Sequence, residues 1–139
     1  MKTYQHTQPA NTILAFMIPS FLGLAIGTIF SHALIFVTII IGVTCWIFRS
    51  MTVEISDREL IWYFGSGFPR KSVSLSEVVS AEPIRISFLN GWGIHYTSRG
   101  WLYNVSGFGA VLIKLQNGKQ FCLGTDEPEK LAGELKGRR

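Results

Sequence analysis

Residues 10–48 read ANTILAFMIPSFLGLAIGTIFSHALIFVTIIIGVTCWIF, a run of 39 residues without Asp, Glu, Lys or Arg. As one straight helix this run would be about 58 Å long, whereas the hydrocarbon core of a bilayer is only ~30 Å thick. Two crossings of roughly 17 to 25 residues each fit if the chain turns at its most polar dipeptide, Ser31-His32. The run therefore predicts a transmembrane helical hairpin with helices at about 12–30 and 33–48.

Small residues recur along both predicted helices. Gly23 and Gly27 lie four residues apart on one face of the first helix, and Thr38 and Gly42 repeat this spacing on the second. Such spacing allows two helix backbones to pack closely. The glycines therefore serve either packing of the two helices on each other or a homodimer interface. We favour the first interpretation, because a short turn already holds the two helices together.

Basic residues flank the uncharged run. Lys2 is the only charged residue before Arg49, and further basic residues follow at Arg58, Arg70 and Lys71. By the positive-inside rule, both chain termini are expected in the cytoplasm, which describes a multi-pass protein of the cell membrane. A signal peptide followed by one helix is the alternative, since Ser31-His32-Ala33 resembles a cleavage site. Its apolar part would, however, exceed the usual 7 to 15 residues.

The second part of the chain, residues 50–139, is predicted to be one small domain. Apolar residues alternate with polar or outward-facing ones over 51–55 and again over 60–64, on either side of a four-residue turn. This alternation predicts a β-hairpin that pairs Met51 with Phe64, Val53 with Trp62, and Ile55 with Leu60 on one buried face. Further strands are expected at about 72–75, 78–86, 94–97 and 101–106.

The end of the chain carries two clear local signals. Asn117-Gly118 predicts a two-residue turn between strands at 110–116 and 119–124, with Ile113 opposite Cys122. Thr125 or Asp126 can cap a helix whose apolar stripe is Leu131, Ala132 and Leu135. The predicted fold is thus a transmembrane helical hairpin (residues 1–49) followed by about seven antiparallel strands, in a sandwich or partly open barrel closed by one C-terminal helix (residues 50–139).

Three motifs in this second part support a resemblance. They are Gly-Trp-Gly-Ile at 91–94, Gly-Trp-Leu-Tyr-Asn-Val-Ser-Gly at 100–107, and Gly-Thr-Asp-Glu-Pro at 124–128. Together with the strand order and terminal helix, they resemble small bacterial inner-membrane proteins that carry pleckstrin-homology-like (PH-like) domains. The resemblance covers residues 51 to about 135 and implies the PH-like fold more than an activity. Phosphoinositide-binding PH domains have several basic residues after their first strand, where this chain has Ser-Asp-Arg-Glu at 56–59.

The sequence offers no catalytic or metal-binding signature. His6, His32 and His95 are far apart, no Cys-x-x-Cys spacing is present, and Ser106-Gly107 lacks the glycine-flanked context of a hydrolase nucleophile. Cys45 and Cys122 are predicted to remain unpaired. No cofactor is expected. A net charge of +4 is too small and too dispersed for a nucleic-acid-binding surface.

These observations predict a non-catalytic integral membrane protein whose PH-like domain is held at the cytoplasmic membrane surface. The expected partners are membrane lipids and a protein, with a homodimer as a further option. Lipid headgroups would contact Arg49, Arg70 and Lys71, each of which adds about 1 kcal/mol near an anionic surface. The alternative is an accessory or catalytic subunit of a membrane enzyme complex with an unrecognised site.

Overall fold

The computed structural model describes residues 4–138 of the 139-residue chain. Lys2 and Arg139, which lie near the two ends of the chain, are outside this range. The elements in chain order are β1 (Tyr4–Pro9), α1 (Asn11–Gly27), α2 (Ile35–Ile47), β2 (Ser50–Ile55), β3 (Glu59–Phe64), β4 (Arg70–Ser74), β5 (Val78–Arg85), β6 (Gly93–Thr97), β7 (Gly100–Asn104), β8 (Gly109–Leu115), β9 (Gln120–Gly124) and α3 (Pro128–Lys136). Three short 3₁₀ turns lie at His32–Leu34, Leu75–Glu77 and Phe88–Asn90.

The uncharged run does form two helices, but they are shorter than predicted. α1 has 17 residues and α2 has 13, which correspond to about 25 Å and about 20 Å. The chain leaves the α-helix at Thr28, turns through Ser31, and enters a 3₁₀ turn before α2 begins. In the described part of the chain, no helix combines the length and the apolar character needed to cross a membrane. The prediction of a transmembrane hairpin, and of a multi-pass cell-membrane protein with cytoplasmic termini, is therefore wrong.

The segment before the hairpin forms a strand, which was not predicted from the sequence. β1 pairs antiparallel with β2, from Tyr4 opposite Ile55 to Pro9 opposite Ser50. The backbone N–H of Ala10 donates to the Arg49 carbonyl oxygen at 3.0 Å, so the two ends of the helical hairpin lie side by side. The helices are therefore inserted between two neighbouring strands of one sheet, and residues on both sides of the 49/50 boundary share that sheet.

The first sheet has the order β1-β2-β3-β4. Its β2–β3 pairing is the predicted one, with Met51 opposite Phe64, Val53 opposite Trp62 and Ile55 opposite Leu60. All six of these side chains are buried in the main core. The predicted register is therefore confirmed. The prediction succeeds because the strict alternation of apolar residues and the length of the 56–59 turn favour the same pairing.

The second sheet has the order β5-β8-β9-β7-β6. β7 and β9 are parallel, with Trp101 opposite Phe121 and Tyr103 opposite Leu123, whereas the other pairs are antiparallel. The described chain thus has nine strands in two sheets, not about seven antiparallel strands. The predicted fold class is wrong on the transmembrane hairpin, on the number of strands and on their uniform direction.

The β8–β9 turn contains Asn117 and Gly118 but is one residue longer than predicted. Ile113 lies opposite Phe121 rather than Cys122. Gly118 has φ +80°, Asn117 keeps a negative φ, and the Asn117 side-chain oxygen accepts from the Lys119 N–H at 2.9 Å. One left-handed glycine is the pattern of a three-residue hairpin loop, whereas the predicted two-residue turn requires positive φ at two positions.

We expect Gly118→Val to lower the free energy of unfolding by about 1 to 3 kcal/mol, because a β-branched residue resists this left-handed conformation. Gly118→Asn is the matched variant, since Asn tolerates the same backbone angles, and its cost should stay below about 1 kcal/mol. Urea unfolding of the full chain measures both values. Equal losses for Val and Asn would show that the loop does not depend on the conformation of this residue.

α3 closes the main core. Leu131, Ala132 and Leu135 are buried in the same cluster as the inner residues of both sheets, as the apolar stripe predicts. The helix begins at Pro128 with Glu127 as its N-cap residue, so the predicted cap at Thr125 or Asp126 is wrong. The Thr125 hydroxyl instead accepts from the Glu127 N–H at 3.1 Å and so orders the turn that leads into the helix.

Candidate interaction surface

The hairpin of α1 and α2 presents the main apolar surface of the described chain. No residue of either helix is buried. A helix that is apolar on all sides is normally covered by other groups. Thirteen large apolar side chains of the hairpin are between 40% and 85% exposed: Phe16, Ile18, Leu22, Ile26, Ile29, Phe30, Ile35, Phe36, Val37, Ile39, Ile40, Val43 and Trp46. We call these thirteen side chains the hairpin surface.

The size of the hairpin surface is unusual for an isolated chain. Its four aromatic side chains alone expose roughly 500 Å², at about 200 Å² for a complete aromatic side chain. With the nine aliphatic side chains, the exposed apolar area is on the order of 1,000 Å², against about 300 to 600 Å² for the largest apolar patch of a typical monomer. An area of this size is typical of a surface that binds another molecule.

The glycines that the sequence assigns to helix packing have different surroundings. A Cβ atom on Gly42 would lie 3.0 Å from the ring of Phe21 in α1, and one on Gly27 would lie 2.9 Å from Leu34. At Gly23, by contrast, no atom outside the glycine's own stretch of helix lies within 4 Å of the Cβ position. Gly42 and Gly27 therefore accommodate neighbours within the hairpin, while the Gly23 side of α1 is open.

Polar and aromatic contacts hold the base of the hairpin against the β-sheets. The Thr12 and Ser106 hydroxyl groups are 2.7 Å apart, and the Gln8 side-chain amide donates to the Ser106 carbonyl oxygen at 2.9 Å. The Phe16 ring lies over Trp92 with centroids 6.0 Å apart. These contacts hold the β1–α1 connection against the second sheet, and the hydrogen bond from Ala10 to Arg49 keeps the α2–β2 connection beside it.

The three basic residues predicted to contact lipid headgroups are all exposed. The Arg49 guanidinium lies 5.6 Å from the centre of the Trp46 ring, and that of Arg70 lies 5.5 Å from the centre of the Tyr63 ring. Lys71 follows Arg70 in β4 and lies opposite Trp62. Arg49 is at the base of the hairpin, while the other two are on an edge strand. Their contact with headgroups stays a prediction.

A polar cluster between β1 and α3 was not predicted from the sequence. His6 Nε2 lies 2.5 Å from Asp126 Oδ1, and the Tyr4 hydroxyl donates to Glu127 Oε2 at 3.4 Å. Lys130 completes the cluster, with its ammonium nitrogen 3.2 Å from Glu127 Oε2. Within residues 4–138, no group of three or more His, Cys, Asp or Glu side chains is placed to hold a metal ion. The cluster connects the N-terminal strand to the C-terminal helix.

Tyr4 makes this cluster sensitive to alkaline pH. Burial and the neighbouring Glu127 carboxylate raise the pKa of Tyr4 above its ordinary value of 10.0. Above pH 10, the unfolded chain loses this proton while the folded chain keeps it, so stability falls as pH rises. We expect the free energy of unfolding to fall by up to about 1.4 kcal/mol more per pH unit in the parent than in Tyr4→Phe between pH 10 and 12. Identical slopes in urea titrations would contradict this.

A cavity of about 540 Å³ lies next to this cluster, where β1, the 107–109 segment and the start of α3 meet. Ile84 and Phe108 contribute apolar walls, while Arg85, Asp126 and Glu129 contribute charges. The lining therefore carries both signs of charge, and one of its two carboxylates, Asp126, is already paired with His6. For this reason the hairpin surface, and not this cavity, is the stronger candidate for a functional site.

Comparison of the chain with family models, with curated proteins and with solved structures finds no match. The predicted membership among small bacterial membrane proteins with PH-like domains is therefore wrong. No family model supports it, and the described chain contains no helix that could cross a membrane.

Proposed function

We propose that this protein is a non-catalytic binding protein whose hairpin surface docks onto another protein chain. The observation that carries the proposal is the exposure of thirteen large apolar side chains, eleven on the two helices and two in the turn between them, in a segment that contains no charged residue. Covering this surface removes apolar area from water. Each Å² of apolar area buried contributes about 25 cal/mol of favourable free energy, which provides a large driving force for association. The fixed base of the hairpin adds to this, because a surface that is already ordered loses less entropy on binding.

The experiment isolates the tagged full-length chain from its native source under non-denaturing conditions and measures the mass of the particle. The proposal expects a complex heavier than the 15.6 kDa chain. The double variant Phe36→Ser/Ile40→Ser removes two side chains of α2 that are 76% and 63% exposed, and it should release the partner. Leu89→Ser is the matched control, because Leu89 is 92% exposed but lies outside the hairpin.

Two results would overturn the proposal. One is isolation of the parent protein as a single 15.6 kDa chain. The other is a complex that survives the double α2 variant but dissociates in Leu89→Ser, which would move the docking surface to the second sheet and its connections.

A further inference from the structure

We infer that the partner docked on the hairpin surface is a second copy of this chain, with the two α1 helices meeting at Gly23. This inference rests on the proposed function and names its partner. The two hairpins would form a four-helix bundle, in which the inner faces of all four helices are covered. A symmetric pair of identical surfaces is the commonest arrangement among protein oligomers.

The exposed area agrees with this arrangement. A standard interface takes about 800 Å² from each partner, and the hairpin surface offers on the order of 1,000 Å². The remainder of the described chain presents its apolar residues mainly to its own core. The hairpin is therefore the part of the described chain with enough apolar area for a stable dimer.

Electrostatics also permit two hairpins to meet. The chain carries a net charge of +4, which weakly opposes the association of two copies. Residues 10–48 contain no Asp, Glu, Lys or Arg, and contact through this segment buries no charged side chain. Buried charges without partners are costly, and this interface avoids them.

Gly23 marks where the two copies would approach most closely. It lies four residues before the end of α1, and no atom outside its own stretch of helix is within 4 Å of its Cβ position, whereas Gly27 and Gly42 already accommodate Leu34 and Phe21. Ser20, one turn earlier in α1, is also small and exposed. Two helix backbones can approach closely at such a point, with the larger side chains of Phe16 and Ile26 packing on either side.

Disulfide trapping in the full-length chain tests the inference. In a Cys45→Ala background, Gly23→Cys should give a covalent dimer under mild oxidation, because a disulfide requires two Cβ atoms about 3.5 to 4.5 Å apart. Gly133→Cys is the matched control. Gly133 is also a helical glycine with no atom within 4 Å of its Cβ position, but it lies in α3. Cys122 does not interfere, because it is 3% exposed and burial raises the pKa of its thiol.

A second variant measures the interface without oxidation. Gly23→Leu should weaken self-association at least about tenfold by sedimentation, since it separates the two α1 backbones, and Gly133→Leu should leave it unchanged. A covalent dimer from Gly23→Cys together with particles of twice 15.6 kDa supports the inference. A complex of one copy of this chain with a different protein would overturn the inference that the partner is a second copy, but it would leave the proposed function standing. A single chain under all conditions overturns both.

Discussion

Gly100→Ala is expected to cost about 3 to 5 kcal/mol of folding free energy, since it combines a strained backbone with a backbone overlap. Gly100 has φ +89° at the start of β7. A Cβ atom at this position would overlap the backbone carbonyl of Gln120, the first residue of β9. A carbonyl within a sheet cannot rotate away as the end of a long side chain can, so the strands themselves must separate.

This separation would weaken the parallel pairing of β7 and β9, because that pairing begins at the next residue, with Trp101 opposite Phe121. Urea unfolding of the full chain gives the cost directly. Gly133→Ala is the control, because its helical position is open, and it should leave stability unchanged or raise it by up to about 1 kcal/mol. If Gly100→Ala lost less than about 1 kcal/mol, Gly100 and Gln120 would not be in close contact.

Trp62→Ala is expected to destabilise the chain by a similar amount, about 3 to 5 kcal/mol, because Trp62 joins the two sheets. Its ring extends from β3 in the first sheet, stacks on Phe121 with centroids 4.9 Å apart, and meets Tyr103 edge-on at 5.3 Å. Both of these partners belong to the second sheet. The Trp62 side chain is only 4% exposed. Truncation would therefore remove the aromatic contacts between the sheets and leave a buried cavity.

Trp62→Phe separates the role of the ring from that of the indole nitrogen. Trp62 Nε1 is buried and has no hydrogen-bond acceptor among residues 4–138. Phe keeps an aromatic contact and removes this buried donor, whose desolvation costs about 1 to 3 kcal/mol. We therefore expect Trp62→Phe to cost less than about 1.5 kcal/mol in thermal or urea unfolding. A loss as large as that of Trp62→Ala would indicate that the nitrogen does have a partner.

The sequence predicts local pairing well where two independent signals coincide. In β2 and β3, the alternation of apolar residues and the length of the turn lead to the same register, and the structure has that register. In β8 and β9, apolar residues occupy both faces, so alternation cannot distinguish neighbouring registers. Asn-Gly is compatible with loops of two or three residues, and the choice of two shifted the predicted pairing by one residue.

Long-range features were harder to predict. β1 reads Tyr-Gln-His-Thr-Gln-Pro, which is polar and lies 40 residues away from the start of its partner strand, so no local turn indicates the pairing. In the uncharged run, composition indicated two helices, but their lengths depend on where the chain turns. The turn includes Thr28 to Ser31 and a 3₁₀ segment, which shortens both helices. The contrast between Gly23 and Gly42 likewise depends on side-chain positions that spacing alone does not specify.

The insertion of the hairpin between β1 and β2 also determines an order of events during synthesis. β1 precedes the two helices in the chain, so its partner strand β2 is synthesised only after both helices have been made. Closing a loop of this length costs conformational entropy, and in the folded chain the packed hairpin holds its two ends together through the hydrogen bond between Ala10 and Arg49. The first sheet can therefore reach its order β1-β2-β3-β4 only after the whole hairpin has been synthesised.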